Sequence, residues 1–170
     1  IHEYGDVNER HGHDIGPHYI GIGGKSHGCP PNPNRHAGDL GNFLCHEDGL
    51  IVEYKEISMI GFYDNDKKGS VIGRAVGLHG NADECEDDEV GPLIAIGTIG
   101  IAWQAPPNIG VNFEPKVLVA RLTGTVYCFL CHGTAWIWKD KHAGVVRVRA
   151  RAFIDIAKNT SLLHGFVINE

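Results

Sequence analysis

Short runs of alternating apolar and polar residues recur along the chain, and this period of two is the pattern of β-strands with one buried face. In residues 145–153, VVRVRARAF, valine and alanine alternate with three arginines. Similar runs stand at residues 49–56, 57–64, 70–78, 117–130 and 134–141. No apolar stripe with the 3.6-residue period of a helix continues for three turns. With 23 glycines available for corners, the pattern predicts an all-β fold, either an antiparallel β-sandwich or a barrel.

The composition excludes some classes of binding partner but leaves the cellular location open. A formal net charge of −6 argues against nucleic acid or an anionic membrane as a partner, because both attract basic surfaces. No apolar run approaches the ~20 residues of a membrane span. Five cysteines leave at least one unpaired if the others form bridges, and Asn159 begins a glycosylation sequon that matters only in a secreted chain. Extracellular and cytoplasmic locations both stay open on these grounds.

Two long stretches, residues 5–39 and 80–93, carry no strand pattern, and such loops in a compact domain are usually functional or disordered. The first contains three histidines and one aspartate within 22 residues, namely His18, His27, His36 and Asp39. Neutral imidazoles and a carboxylate are the ligands of closed tetrahedral zinc sites. A single histidine in a polar loop is more often merely solvated, but this combination and spacing predict a zinc site.

The motifs around these residues resemble the copper–zinc superoxide dismutase family. IHEYGD at residues 1–6 is similar to the family's copper strand, and GPH at 16–18 is similar to its bridging-histidine motif. RHAGDLGN at 35–42 resembles the zinc loop, and SVIGRAVGLHGNAD at 70–83 resembles the last copper-ligand motif. With GTIGIA at 97–102 as the final strand, the resemblance covers residues 1–102. It implies an antiparallel Greek-key fold with long metal-binding loops.

The resemblance implies two metal sites when it is carried over residue by residue. The four loop residues above match the zinc ligands, and His2, His18 and His79 match three copper ligands, with His18 bridging the two metals. Asp83 matches the carboxylate that orients ligands of both metals. The remaining copper histidine of the family would stand before Ile1, so we expect a partial copper set.

The chain after residue 102 resembles the part of the family that normally comes first. Residues 118–153 are similar to the family's amino-terminal strands, and SLLHGFVINE at 161–170 is similar to the approach to its copper strand. The strand order is therefore expected to be permuted relative to the family. The implied segments are the carboxy-terminal part of one unit at 1–102, a linker at 103–117 and the amino-terminal strands of the same or the next unit at 118–170.

A tandem array explains this order better than a simple permutation does. Ile1 and Ile168 stand 167 positions apart in similar tripeptides, as two copies of one strand would. In the second copy, Val167 and Asn169 occupy the positions of the two copper histidines. We therefore expect neighbouring copies of the unit to be its partners, in a tandem or oligomeric assembly.

Other departures from the family pattern concern the approach of the substrate. Leu93 falls where the family has its substrate-guiding arginine, and Ile96 falls on a cysteine of its disulfide, whose partner is also missing near residues 11–13. A loop without that bridge is expected to be more mobile. Residues 83–89, DECEDDE, are acidic at six of seven positions, and a negative field slows the encounter with an anion.

Two function classes follow from these observations. The first is a zinc-binding superoxide dismutase-like domain with little activity, serving as a structural or metal-binding unit of a repeated extracellular protein. Pernin-like haemolymph proteins are a distant comparison for such an arrangement. The second is an active copper–zinc superoxide dismutase, which converts superoxide to oxygen and hydrogen peroxide.

Overall fold

The computed structural model describes residues 1–62, 66–86, 91–102, 113–140 and 145–154. This part of the chain is all-β, and the predicted antiparallel fold is confirmed. The described helical structure is a single 3-10 turn at His13–Ile15. Across the described ranges, no helix has the length and apolar character needed to cross a membrane. The strands are β1 (Leu50–Ile57), β2 (Ala75–His79), β3 (Leu93–Ile101), β4 (Phe113–Gly124), β5 (His132–Asp140) and β6 (Val146–Phe153).

These strands form one antiparallel sheet in the order β1-β6-β5-β4-β3-β2. Strands from β2 to β6 are neighbours in chain order, whereas β1 lies beside β6 at the edge opposite to β2. The chain between β1 and β2 therefore connects the two edges of the sheet, as the long connection of a Greek key does. Both edge strands line one cavity, so the sheet is curled into an incomplete barrel.

Strands from both halves of the sequence build this sheet. β4 pairs with β3 and β6 pairs with β1, so residues 118–153 lie in the same sheet as the strands of residues 1–102. The alternation seen in the sequence sets the faces, because Val146, Val148 and Ala152 of β6 are buried while the arginines between them point outward. The buried face joins a single apolar core inside the curl.

The strand expected at residues 57–64 is wrong over its described part. β1 ends at Ile57, and the following residues form only an isolated bridge between Gly61 and Ser70. Residues 59–62 are all buried, so this part of the segment does not alternate between a core face and a solvent face. The segment packs into the core as an irregular loop, with buried residues Met59, Ile60 and Phe62.

Some predicted features lie partly or wholly outside the described residues. These are Asn159, Val167, Asn169 and the last part of the acidic run, at 87–89. The predicted linker, 103–117, is described only from residue 113, where β4 begins, so its last part is strand.

Leu118→Ala should lower the free energy of unfolding by roughly 2–5 kcal/mol, because Leu118 is fully buried in β4 and truncation leaves a cavity. Ile101, its register partner on β3, is 58% exposed, so Ile101→Ala is a matched control with a much smaller expected cost. Chemical denaturation followed by two probes, one in β1 and one in β5, measures both variants. Separate transitions for the two probes would contradict a single cooperative sheet.

Candidate metal centre

The four zinc candidates converge on one point in the structure. Asp39 lies at the centre, with one carboxylate oxygen 2.9 Å from Nδ1 of His18. Its other oxygen lies 3.4 Å from Nδ1 of His27 and 3.3 Å from Nδ1 of His36. All four potential ligand atoms lie within 4.8 Å of one another. The loop therefore brings together the four residues that the sequence predicted.

These separations fit a tetrahedral zinc ion. With metal–ligand bonds of 2.0–2.1 Å, neighbouring ligands of a tetrahedral site are about 3.3 Å apart. The buried Nδ1 atoms of His18 and His36 and Oδ1 of Asp39 face one another without hydrogen-bond geometry. Buried polar atoms are normally satisfied by a partner, so an arrangement of this kind matches a metal site better than a hydrogen-bond network. The donor set, three imidazole nitrogens and one carboxylate, is also that of zinc.

Local backbone contacts position the aspartate. His36 and Asp39 are joined by a tight turn, in which the amide of Asp39 donates to the carbonyl of His36 at 3.2 Å. The amides of His36 and Gly28 both donate to Oδ2 of Asp39 at 3.1 Å. Between the two ligands, Gly38 approaches the carbonyl oxygen of Ile1 so closely that a Cβ would lie 2.2 Å from it. Gly38 in RHAGDLGN therefore lets the loop of the zinc candidates pack against the segment that carries His2.

The electrostatics of the cluster favour a charged carboxylate at Asp39. Burial by itself would raise the pKa of Asp39, but the neighbouring imidazoles, above all that of His18, hold this pKa below its usual value. A carboxylate that stays ionised while fully buried is a strong ligand for a divalent cation.

A second group consists of His2, His18 and His79, whose ligand atoms also lie within 4.8 Å of one another. The amide of His2 donates to the carbonyl of Ala75 at 2.8 Å, which ties the segment of His2 to β2, and β2 ends at His79. His18 belongs to both groups. Because its Nδ1 faces Asp39, Nε2 is the nitrogen that remains for the second group.

Two imidazoles of this second group, those of His2 and His79, are held as neutral ligands. Nδ1 of His2 lies 2.8 Å from the carbonyl oxygen of Gly16, and Nδ1 of His79 lies 3.0 Å from that of Gly91. Carbonyls only accept, so Nδ1 carries the proton and Nε2 offers its lone pair. Burial lowers the pKa of His2 to about 3 and that of His79 to about 4, so both rings are neutral at physiological pH.

Asp83 connects the zinc loop to the second long loop. Its carboxylate lies 2.9 Å from Nε2 of His27, which directs the other ring nitrogen at the zinc position. Asn42 holds Asp83 from both sides, since its side-chain amide donates to the carbonyl of Asp83 and its side-chain oxygen accepts from the amide. The distances are 2.8 and 2.7 Å. The sequence predicted the role of Asp83 but did not single out Asn42, whose signal was its place in RHAGDLGN.

A disulfide between Cys29 and Cys85 closes the same connection covalently. Sequence reasoning missed it, although a signal existed, because Cys29 follows His27 by two residues and Cys85 follows Asp83 by two. The loop was expected to be loosened by loss of the family's usual bridge. Instead, the structure ties it at a different place, beside the zinc ligands.

The structure also shows the surroundings of Leu93 and Ile96, the residues expected to stand in place of the family's arginine and disulfide cysteine. Leu93 packs with Ile15, Ala75 and Ile96 in a small apolar cluster. A Cβ on Gly77 would lie 2.5 Å from Leu93 and 2.9 Å from Nε2 of His2, so the leucine stands beside the second histidine group. A Cβ on Gly12 would contact both Leu93 and Ile96. Apolar packing thus occupies the place where the sequence lacks the family's disulfide.

Comparisons with known proteins agree with these features. Residues 1–99 match the sequence model of the family described as copper/zinc superoxide dismutase (SODC). The chain is 34% identical over 111 residues to a superoxide dismutase [Cu-Zn] of Talaromyces marneffei, covering 60% of this chain and 69% of that one. It is 28% identical over 131 residues to extracellular superoxide dismutase [Cu-Zn] 3 of Dictyostelium discoideum, covering 75% of this chain. The chain spans only 30% of the length of that second relative.

His36→Ala should abolish stoichiometric zinc binding and loosen residues 16–39, because it removes one of four ligands from a glycine-rich loop. Zinc analysis of the dialysed protein, together with amide exchange of the loop, measures both effects. His46→Ala is the control, since His46 is exposed and lies outside both ligand groups in the described chain. Unchanged zinc content in His36→Ala would contradict the assignment.

Replacing both Cys29 and Cys85 by serine should speed zinc dissociation by roughly tenfold, because the contacts that orient a metal ligand affect affinity on that scale. The double serine variant of Cys128 and Cys131 is the matched control, since that disulfide closes a turn between β4 and β5. Zinc transfer to a chromophoric chelator gives the rates. Equal rates in the two variants would show that the Cys29–Cys85 bridge does not support the centre.

Proposed function

Because the chain belongs to the copper/zinc superoxide dismutase family, we propose that it is a zinc-binding domain with little dismutase activity. Its role is that of a structural or metal-binding unit of a repeated extracellular protein. The observation that carries the zinc part is the convergence of three Nδ1 atoms on the buried carboxylate of Asp39 at 2.9–3.4 Å. Zinc there links residues 18–39 into one body and offsets the entropy that a glycine-rich loop loses on ordering.

The copper part of the proposal rests on what surrounds the second histidine group. Copper, when bound, supplies one-electron redox chemistry, and it prefers tetragonal nitrogen coordination. His2, His18 and His79 provide three imidazoles within the described chain, and burial keeps those of His2 and His79 neutral. Three imidazoles hold copper(II) less firmly than four do, so copper affinity and potential depend on whether a fourth nitrogen joins this group.

Access of superoxide to this group is also unfavourable. Leu93 places an apolar side chain beside His2, where an arginine would attract the anion. The nearby segment that contains Asp83, Glu84 and Glu86 is acidic. A negative field at the entrance lowers the rate at which an anion arrives.

An extracellular location is supported by two independent features. The structure contains two disulfides, Cys29–Cys85 and Cys128–Cys131, and such bridges persist mainly in oxidising compartments. One relative is named as an extracellular enzyme. The proposed partners, neighbouring copies of the same unit, follow from the similar tripeptides at the two ends of the sequence.

The alternative function is that of an active copper–zinc superoxide dismutase. The specific observation in its favour is that His2, His18 and His79 converge and that burial keeps His2 and His79 neutral. Metal analysis and an activity assay on the intact native protein separate the two functions. The proposal expects about one zinc per chain, copper well below one, and little activity.

Leu93→Arg alone should leave dismutase activity far below that of an ordinary family member, even with copper supplied. The arginine restores attraction of the anion, but it leaves the copper coordination and the acidic surroundings unchanged, and these act on different steps. Pulse radiolysis at several salt concentrations measures the rate for the variant and the wild type. A copper-loaded wild type that works near the diffusion limit, with a rate that falls as salt is added, would establish the enzyme instead.

A further inference from the structure

The outer face of the sheet carries cations and aromatic rings that the metal centre does not use. Two rows of residues cross the strands on this face, and the register of β1, β6, β5 and β4 fixes each row. The first row is Val52, Arg151, Thr134 and Arg121, and the second is Tyr54, Arg149, Trp136 and Val119. These positions include three arginines and no acid, in a chain whose net charge is −6. We call the two rows the arginine face.

Two of the three arginines lack an anionic partner in the described chain. Arg121 and Arg151 are exposed, and neither forms an ion pair with a described residue. They stand on either side of Thr134, so their Cα atoms are two strand spacings, about 9.5 Å, apart. On the next row, by contrast, Arg147 pairs with Glu56 at 3.1 Å. The arginine face is therefore a cationic patch on an acidic protein.

Aromatic rings give this patch the composition of a protein interface. The guanidinium carbon of Arg149 lies 5.2 Å from the ring centroid of Tyr54 and 5.9 Å from that of Trp136. Tyr54 is 52% exposed, and Val52 beside it is 42% exposed. Arginine, tyrosine and tryptophan are enriched where proteins bind one another, and they provide most of the energy of such contacts. The charge and the rings together indicate an acidic segment of a protein as the occupant.

Exposed carboxylates of this kind lie in residues 83–86. Glu84 and Glu86 are exposed, whereas Asp83 and Cys85 are fixed by hydrogen bonds and by the disulfide described above. Because this backbone is already held, little conformational entropy is lost when a partner binds it. The Cα atoms of the two glutamates are at most about 7 Å apart, a spacing that two long arginine side chains can match. Guanidinium groups bind carboxylates through paired hydrogen bonds.

The two charged regions cannot meet within one chain. Asp83 lines the cavity on the inner side of the sheet, together with Ile137 of β5 and Val148 of β6. The arginine face alternates with these inward residues along the strands, so it lies on the outer side. A contact between the two regions therefore joins different copies. It is also head-to-tail, because a closed two-fold dimer needs both regions on the same side of the molecule.

We propose that residues 84–86 of one copy dock on the arginine face of the next, with Glu84 and Glu86 paired to Arg121 and Arg151. This rests on the function proposed above, in which neighbouring copies are the partners, and it names the surfaces through which they meet. The Debye length is about 8 Å at physiological ionic strength, so contacting charges attract while the net charges of the two chains are largely screened. In a tandem array the effective concentration of a neighbour is in the millimolar range, so even a weak contact is populated.

Neutral variants of the full chain test each surface separately. Arg121→Gln with Arg151→Gln removes one surface, and Glu84→Gln with Glu86→Gln removes the other. In sedimentation velocity, the wild type is expected to form species larger than a dimer as its concentration rises to about 1 mM. Each double variant alone should associate roughly tenfold more weakly. A wild type that stays monomeric, or variants that associate as the wild type does, would overturn the proposal.

An equal mixture of the two double variants gives a sharper result. The arginine variant keeps its acidic segment and the glutamate variant keeps its arginine face, so one contact can form and no second one can follow. The mixture should therefore give a heterodimer with one copy of each variant and no larger species. This heterodimer also shows that both variants are folded. Its absence would contradict the proposed pairing.

Lys25→Gln with Lys67→Gln is the matched control, because both lysines are exposed, lie outside the strands and carry the same charge as the two arginines. This control should associate as the wild type does. Weaker association would show that the net charge decides, and it would overturn the role of the arginine face. Zinc analysis of the same samples keeps the two proposals apart, since a chain that binds zinc but does not associate refutes only this contact.

Discussion

The buried carboxylate of Asp39 is the constraint on which the rest of this structure depends. It lies between three imidazoles, accepts two backbone amides, and has a side chain with no exposure to solvent. An ionised group in such a place is tolerated only if cationic or donor partners surround it, and a zinc ion satisfies this condition for all four residues together. The long first loop has almost no regular structure, so its shape follows from these side-chain contacts instead of a backbone ladder.

The loops are held to the sheet by a chain of contacts that starts at this carboxylate. The imidazole of His27 contacts Asp39 with one nitrogen and Asp83 with the other. Asn42 is hydrogen-bonded to Asp83, and the Cys29–Cys85 disulfide joins the same two loops covalently. His18 continues the chain in the other direction to His2 and His79, and His2 is bonded to β2. These contacts connect the two groups of candidate ligands, so a displacement of one loop should also displace ligands on the other.

The sheet shows how far a sequence pattern determines structure. Alternation in β5 and β6 predicted both strands to within two residues at each end, because one face of each must be buried. The same reasoning failed in the described part of residues 57–64, where residues 59–62 are buried one after another without alternation. Register and neighbours were not predictable from any one strand, since the pairing of β1 with β6 joins residues about a hundred positions apart.

By itself, the sequence determined the ligand types and their spacing, since His18, His27, His36 and Asp39 lie within one loop and metal chemistry limits which residues can serve. It also determined that Leu93 replaces an arginine and that the chain is acidic. Only the tertiary structure decided that Cys29 meets Cys85, that Leu93 stands beside His2, and that β1 and β2 line one cavity. The physical reason is that local pattern fixes burial and chemistry, whereas contacts between distant segments depend on how the whole sheet curls.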